Sequence, residues 1–144
     1  MNSNKHKLVL VVACVLIRDD RSVLITQRPA GKLQAGLWEF PGGKVESGET
    51  PEKALVRELI EELSITIQEI SLFPLTFASY AYDDFHLLMP LFGCVSFQGI
   101  PYGREGQKIQ WVQSHDLYNF PMPLADKPLV LFLQNFLLQM KFES

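Results

Sequence analysis

Apolar residues in this chain come in runs of two periods, separated by polar breaks rich in glycine and proline. A run from Leu8 to Ile17 is cut by Arg18-Asp19-Asp20-Arg21 and resumes at Val23-Leu24-Ile25, which predicts strands at 8–17 and 23–27 around a turn. A turn-rich stretch follows, with Gly31, Gly36, Pro41, Gly42, Gly43 and Gly48. Thr50 then reads as an N-cap, with Pro51 at the first helical position, where its missing N–H costs nothing. The pattern predicts a helix from Pro51 to Leu63. β-branched and aromatic stretches at 65–70, 72–80, 86–97 and 108–112 read as strands, and Leu129 to Phe142 as a closing helix with an apolar stripe. Strands mixed with a few helices predict a layered α/β or α+β domain.

Composition narrows the classes. Hydrophobic residues make up 47% of the 144 and charged residues 20%, which excludes a disordered chain. One domain, residues 1–144, is the expected organisation. A formal charge of −3 argues against direct nucleic-acid binding, which needs a basic face. Lys5 and Lys7 ahead of the first apolar run resemble the start of a secretory signal, but the run leads straight into a polar turn and a second strand pattern. That run is too short to span a bilayer, and Gln134 and Asn135 interrupt the C-terminal one. The expectation is a cytoplasmic protein with no membrane partner. Cys14 and Cys94 lie in apolar runs far apart and read as buried free thiols.

Six of the sixteen acidic residues fall between Glu46 and Glu62. With about 100° per residue, Glu58, Glu61 and Glu62 share one arc of the 51–63 helix, roughly 100° wide. Leu55, Val56, Leu59, Ile60 and Leu63 fall on the other side. A solvated acidic face is one reading. Against it, like charges at i,i+3 and i,i+4 repel, and only Lys53 and Arg57 lie close enough to offset them. A hard divalent cation would remove the conflict, because Mg²⁺ binds through carboxylates and completes its shell with water and phosphate oxygens. Gly42-Gly43 lets the backbone approach closely and take positive φ, so that a carbonyl there could add a ligand.

The segment from Gly43 to Ile65 closely resembles the Nudix box. Gly43, five residues, Glu49, seven residues and Arg57-Glu58-Leu59-Ile60-Glu61-Glu62-Leu63-Ser64-Ile65 match every fixed position but one, Ser64 standing where the signature has glycine. That departure touches a helix C-cap, where glycine eases a left-handed turn. Gln27-Arg28-Pro29, the stretch 36–46, Gly103-Arg104-Glu105-Gly106-Gln107 and 123–128 are similar to MutT-type nucleoside triphosphate pyrophosphohydrolases. The resemblance implies the Nudix fold, an α/β/α sandwich around a mixed β-sheet. It also implies dependence on Mg²⁺ (Mn²⁺ as a substitute) and cleavage of a nucleoside triphosphate, a small-molecule partner, to the monophosphate and pyrophosphate.

Residue by residue, the resemblance makes Glu58, Glu61 and Glu62 metal ligands, joined by the Gly42 carbonyl. Glu105 comes from a separate loop, as a further ligand or as the base. Arg57 orients the box, and Arg28, Glu39, Phe40 and Asp126 become substrate-binding. Glu58, held by Arg57, is the first choice for the base that takes a proton from water, with Glu105 the second. Asp126 has a competing role as N-cap of the last helix. Tyr80 and Tyr82 share a face with Ala78, which suits core packing or a base pocket. His86, Trp38 and Trp111 read as packing residues.

Three functions follow. The leading one is hydrolysis of oxidised purine triphosphates, chiefly 8-oxo-dGTP. A pyrophosphohydrolase for CTP or modified pyrimidine triphosphates is the second. A non-catalytic nucleotide-sensing module is the third; such a module would be expected to lose box glutamates, and this chain keeps them.

Overall fold

The computed structural model describes residues 7–141, so Lys5 and Phe142 of the reading above lie outside the described residues. β1 (Leu8–Leu16) runs parallel to β6 (His86–Cys94), while β4 (Gly42–Lys44) and β5 (Phe73–Ala81) complete the sheet by antiparallel pairing, in the order β4-β1-β6-β5. β2 (Val23–Gln27) pairs antiparallel with β3 (Trp38–Glu39) and with β7 (Lys108–Val112) in a second sheet. An Ile17–Val23 bridge ties the two at the β1–β2 turn, so the expected mixed sheet is present but divided.

The unbroken apolar run of β1 has a simple cause: from Val12 onward both of its faces are buried. Val12, Cys14, Leu16 and Leu24 join the core under α1 (Pro51–Leu63), whereas Ala13, Val15, Ile17, Val23 and Ile25 join the core under α2 (Lys127–Gln139). A strand covered on both sides reads as a continuous hydrophobic run because neither parity of side chains meets water. α2 contributes Leu129, Val130, Leu133 and Leu137, a one-sided stripe at helical spacing. The result is an α/β/α sandwich. No helix among the described residues is long and apolar enough to cross a membrane.

α1 carries the candidate chemistry. Thr50 caps it as expected, its hydroxyl accepting from the Lys53 amide at 3.1 Å. Ala54, Leu55, Leu59 and Leu63 are fully buried. Ile60 is not: it is 42% exposed, because it lies farthest round the wheel from the Leu59 row. At the other end Ser64 adopts a left-handed conformation with φ of 58° and donates its amide to the Ile60 carbonyl. An L-residue there costs about 1–2 kcal/mol that glycine largely avoids. Ser64→Gly should therefore raise the unfolding free energy by roughly 1 kcal/mol in urea titration, offset slightly by loss of the exposed Ser64–Tyr102 hydrogen bond. An unchanged or lower urea midpoint would contradict this.

Two predicted strands are shorter or absent. Ile65 and Ile67 are buried and give 65–70 its alternating look, but its strand pairing is a single isolated bridge, Thr66 to Gln98. The chain then turns through a 3₁₀ segment, Glu69–Ser71. β6 stops at Cys94 rather than running to 97. Conversely β3 and β4 arise inside the Gly/Pro-rich stretch, where composition predicts turns.

Cys14 and Cys94 are free and buried, and burial pushes both thiols above their usual range. Iodoacetamide should react slowly with the native protein and leave activity intact; rapid inactivation, prevented by Cys→Ala at either position, would show a functional thiol.

Candidate active site

Gly42 and Gly43 sit in β4 with ordinary strand geometry and not with the positive φ that the sequence suggested. Close approach is what requires them. A Cβ on Gly42 would lie 1.9 Å from the Val12 carbonyl oxygen, and one on Gly43 would lie 2.4 Å from Glu58 Cδ. The glycine pair thus lets β4 pack between β1 and the carboxylate face of α1. The Gly42 amide donates to Glu62 Oε2 at 3.4 Å.

Arg57 organises the cluster. Its guanidinium donates to both oxygens of Glu49, at 2.6 and 3.2 Å, to Glu58 at 2.9 Å, to Glu61 at 3.5 Å and to the Lys44 carbonyl at 3.2 Å. This fan of bonds raises the Arg57 pKa further, and it lowers that of Glu49. Glu49 had no assigned role in the sequence reading. Its spacing from Arg57, across the helix N-cap, is the signal that could have found it.

Glu62 is the electrostatic centre. Burial, then the charges of Glu58 and Glu39, push its carboxyl up to about 8, with Glu105 adding a smaller push and the Gly42 amide opposing. Glu58 is also raised, chiefly by burial, while Arg57 pulls it back. The neighbouring charges that act on Glu58 include Glu61 and Glu105, so the separate loop does bring Glu105 to the α1 carboxylates. Of the three α1 carboxylates, Glu61 is the exposed one.

Among the described residues no three acidic, histidine or cysteine side chains converge tightly enough to chelate an ion as they stand. Arg57 engages Glu58 and Glu61 instead. The donor set nevertheless fits a hard divalent cation. It is all oxygen, burial and neighbouring carboxylates push Glu62 up to about 8, and the bare Gly43 backbone makes room for the Glu58 carboxylate against β4.

A second group lies beside the first. Arg28 Nη2 donates to Glu39 Oε2 at 3.1 Å, and Arg28 Nε is buried with no partner. Burial and the Glu39 charge push Asp126 up to about 7, against the opposing pull of Arg28. Asp126 is only 5% exposed and lies in a 3₁₀ turn, Leu124–Asp126, with helical φ and ψ of −86° and −20°; its side chain makes no capping bond. Asp126 thus stands at the N-cap position of α2 without capping it through its side chain, because its backbone is already helical.

Phe40 packs in the α2-side core at 4% exposure. Tyr80 and Tyr82 belong to neither core cluster: both are half-buried, and Tyr82 lies tilted against Tyr80 and stacks on Phe85, with ring centroids 4.7 and 5.0 Å apart. Tyr82 Oη accepts the Ala125 amide at 3.4 Å, which puts this aromatic group next to Asp126. Trp38 is core, and Trp111 stacks on Phe97 as a packing residue. His86 meets the Ser79 hydroxyl at 2.7 Å.

The model of the NUDIX domain matches residues 12–131, most of the chain. The chain belongs to the Nudix family. Within it, 126 residues are 39% identical to an 8-oxo-dGTP diphosphatase of Escherichia coli, covering 87% of this chain and 96% of that one. A CTP pyrophosphohydrolase of Escherichia coli is 38% identical, over 86% of this chain and 90% of its own length. A solved MutT structure, from work on the Aliivibrio salmonicida and Vibrio cholerae proteins, superposes with a TM-score of 0.77 at 38% identity. It covers 90% of this chain and 99% of that chain. This Nudix hydrolase is accordingly divalent-metal-dependent, in keeping with the oxygen-only donor set around Glu62.

Proposed function

We propose that this Nudix hydrolase cleaves nucleoside triphosphates, chiefly 8-oxo-dGTP, to the monophosphate and pyrophosphate, with Mg²⁺ as its working cation and Mn²⁺ as a substitute. By removing an oxidised precursor it keeps a mispairing base out of DNA. Two free thiols fit the reducing cytoplasm. The observation that carries the reading is the juxtaposition of the Glu62-centred carboxylates with a buried carboxyl, Asp126, through their shared neighbour Glu39.

Glu58, Glu61, Glu62, Glu105 and the Gly42 carbonyl would hold the cation. When bound there, a divalent cation would neutralise phosphate charge and activate a water. Water oxygen adds to phosphorus, the bond to the oxygen bridging the α and β phosphorus atoms breaks, and pyrophosphate and the monophosphate separate. Glu58 takes the proton lost by water. Burial raises its basicity and Arg57 keeps it oriented, whereas Glu105 sits on an exposed loop and is the second candidate. Arg28 stands near the phosphates and fixes Glu39.

Asp126 reads the base. Titrating near 7, it offers one O–H donor and one acceptor in its neutral form. That pair matches the O6 acceptor and the adjacent N7–H donor of 8-oxoguanine, and it mismatches ordinary guanine, whose N7 only accepts. The same pair also matches N3 and the exocyclic amine of cytosine. A CTP-cleaving role is therefore the second reading, favoured by the 38% identity to the CTP pyrophosphohydrolase.

A substrate panel decides between them. Pyrophosphate release with Mg²⁺ from 8-oxo-dGTP, dGTP, CTP, dCTP and nucleoside diphosphate sugars should be fastest, per unit kcat/KM, for 8-oxo-dGTP. Faster turnover of CTP would overturn the leading reading. Binding without turnover of any of them would point to a sensing module.

A further inference from the structure

The loop 102–107 does more than carry Glu105: it caps the end of α1. The last carbonyls of a helix have no partner within the helix. Here Tyr102 donates its amide to the Leu63 carbonyl at 3.2 Å, and Arg104 donates its amide to the Glu62 carbonyl at 3.0 Å and Nη1 to the Ile60 carbonyl at 3.3 Å. Gln107 supplies a different kind of bond. Its side-chain Nε2 donates to the Glu62 carbonyl at 3.2 Å, while its Oε1 accepts the Glu105 amide at 2.9 Å. One half-buried amide therefore joins the backbone of Glu62 to the backbone of Glu105, at either end of the gap between the helix carboxylates and the loop carboxylate. Gly103 permits this tight turn, since a Cβ there would lie 2.0 Å from the Gln107 carbonyl oxygen and 3.0 Å from Oε1.

We propose that Gln107 is the positioning residue that holds Glu105 against the α1 carboxylates, and so sets the strength of divalent-cation binding without touching the ion. The inference rests on the reading of Glu105 as a ligand. Glu105 is otherwise exposed, and among the described residues no side-chain bond fixes it, so its place depends on its backbone. An amide is the group the position needs, because one end must donate and the other accept. Methionine has a similar length and volume but can do neither strongly. Glutamate would set an acceptor against the Glu62 carbonyl.

The test is a double-mutant cycle in Mn²⁺ affinity, measured by electron paramagnetic resonance on metal-free protein, with kcat for 8-oxo-dGTP alongside. Gln107→Met should weaken Mn²⁺ binding by about 10-fold, the range seen when a ligand loses its supporting hydrogen bond. Its melting temperature in EDTA should stay within a few degrees of wild type. Glu105→Gln should weaken binding comparably, and the double variant should bind no more weakly than Glu105→Gln alone. Tyr102→Phe, which loses the hydroxyl partner of Ser64 at the same helix end, should leave Mn²⁺ affinity unchanged and so separates capping from positioning. If Gln107→Met does not fold, Gln107→Asn replaces it, keeping the amide but falling short of spanning both backbones. Wild-type affinity in Gln107→Met with a weakened Glu105→Gln would overturn the inference while sparing the ligand reading. Multiplying losses in the double variant would do the same. Wild-type affinity in Glu105→Gln would instead remove Glu105 from the metal site, and the role of Gln107 with it.

Discussion

Glu62→Gln should lower Mg²⁺-dependent hydrolysis by two orders of magnitude or more, about 3 kcal/mol of transition-state stabilisation, while the fold survives. The amide has the same shape but lacks the charge that a cation needs. The consequence for stability runs the other way. In the folded, metal-free protein the Glu62 carboxyl titrates near 8, against an ordinary value of 4.5. The native state thus keeps a proton that the unfolded chain gives up across that interval. Stability of the metal-free protein should therefore fall as pH rises from about 4.5 through 8. Glu62→Gln removes this slope, so in EDTA at pH 8.5 the variant should outlast wild type in urea. Divalent cation should restore the wild type only, and Mg²⁺ affinity should climb with pH toward 8 because binding displaces the proton. Urea midpoints at pH 5.5 and 8.5, with EDTA or Mg²⁺, check all of this. Near-normal turnover in Glu62→Gln would sink the metal assignment, whatever the stability data show.

The parts of this molecule that were legible in its sequence are those whose cause is local. Thr50, Pro51 and the Leu55-Leu59-Leu63 row specify α1 through capping and helical period alone, and the spacing of Glu58, Glu61 and Glu62 puts them on one face whatever packs around them. The long double-sided burial of β1 is likewise written in its composition. What the sequence concealed depends on contacts between distant segments. β3 and β4 are only two and three residues long and owe their pairing to β2 and β1, so their Gly and Pro content reads as turns. The reason for Gly42-Gly43 is the space taken by Val12 and Glu58, which no backbone-propensity argument can see. Gln107 sits inside a recognisable motif, but its two bonds reach Glu62 and Glu105, and only the fold brings those together. Asp126 before Lys127-Pro128 has the sequence of a cap, yet the preceding turn is already helical and frees its carboxyl for another use.

That use leads to the second large effect. If Asp126 reads the base in its neutral form, KM for 8-oxo-dGTP should rise as pH climbs past about 7, where the carboxyl loses its donor and two acceptors face the O6 of the base. Asp126→Asn fixes one donor and one acceptor at every pH, so its KM profile should be flat from pH 6 to 8.5 in titrations where wild type bends. Asp126→Ala should raise KM selectively for the preferred nucleotide and shrink discrimination against dGTP by about 1–3 kcal/mol, because the mismatch with unoxidised N7 disappears together with the match. Stability separates this from a structural role. A lost N-cap would cost about 1 kcal/mol at any pH. A buried carboxyl whose folded pKa lies above its ordinary 3.8 instead weakens the fold as pH rises from about 3.8 through 7, so Asp126→Ala should gain on wild type steadily across that interval and show no further gain above it. Substrate ratios unchanged in Asp126→Ala would take Asp126 out of the site. A KM profile that bends identically in wild type and Asp126→Asn would assign the titration to another group, with Glu39 the nearest carboxyl coupled to it.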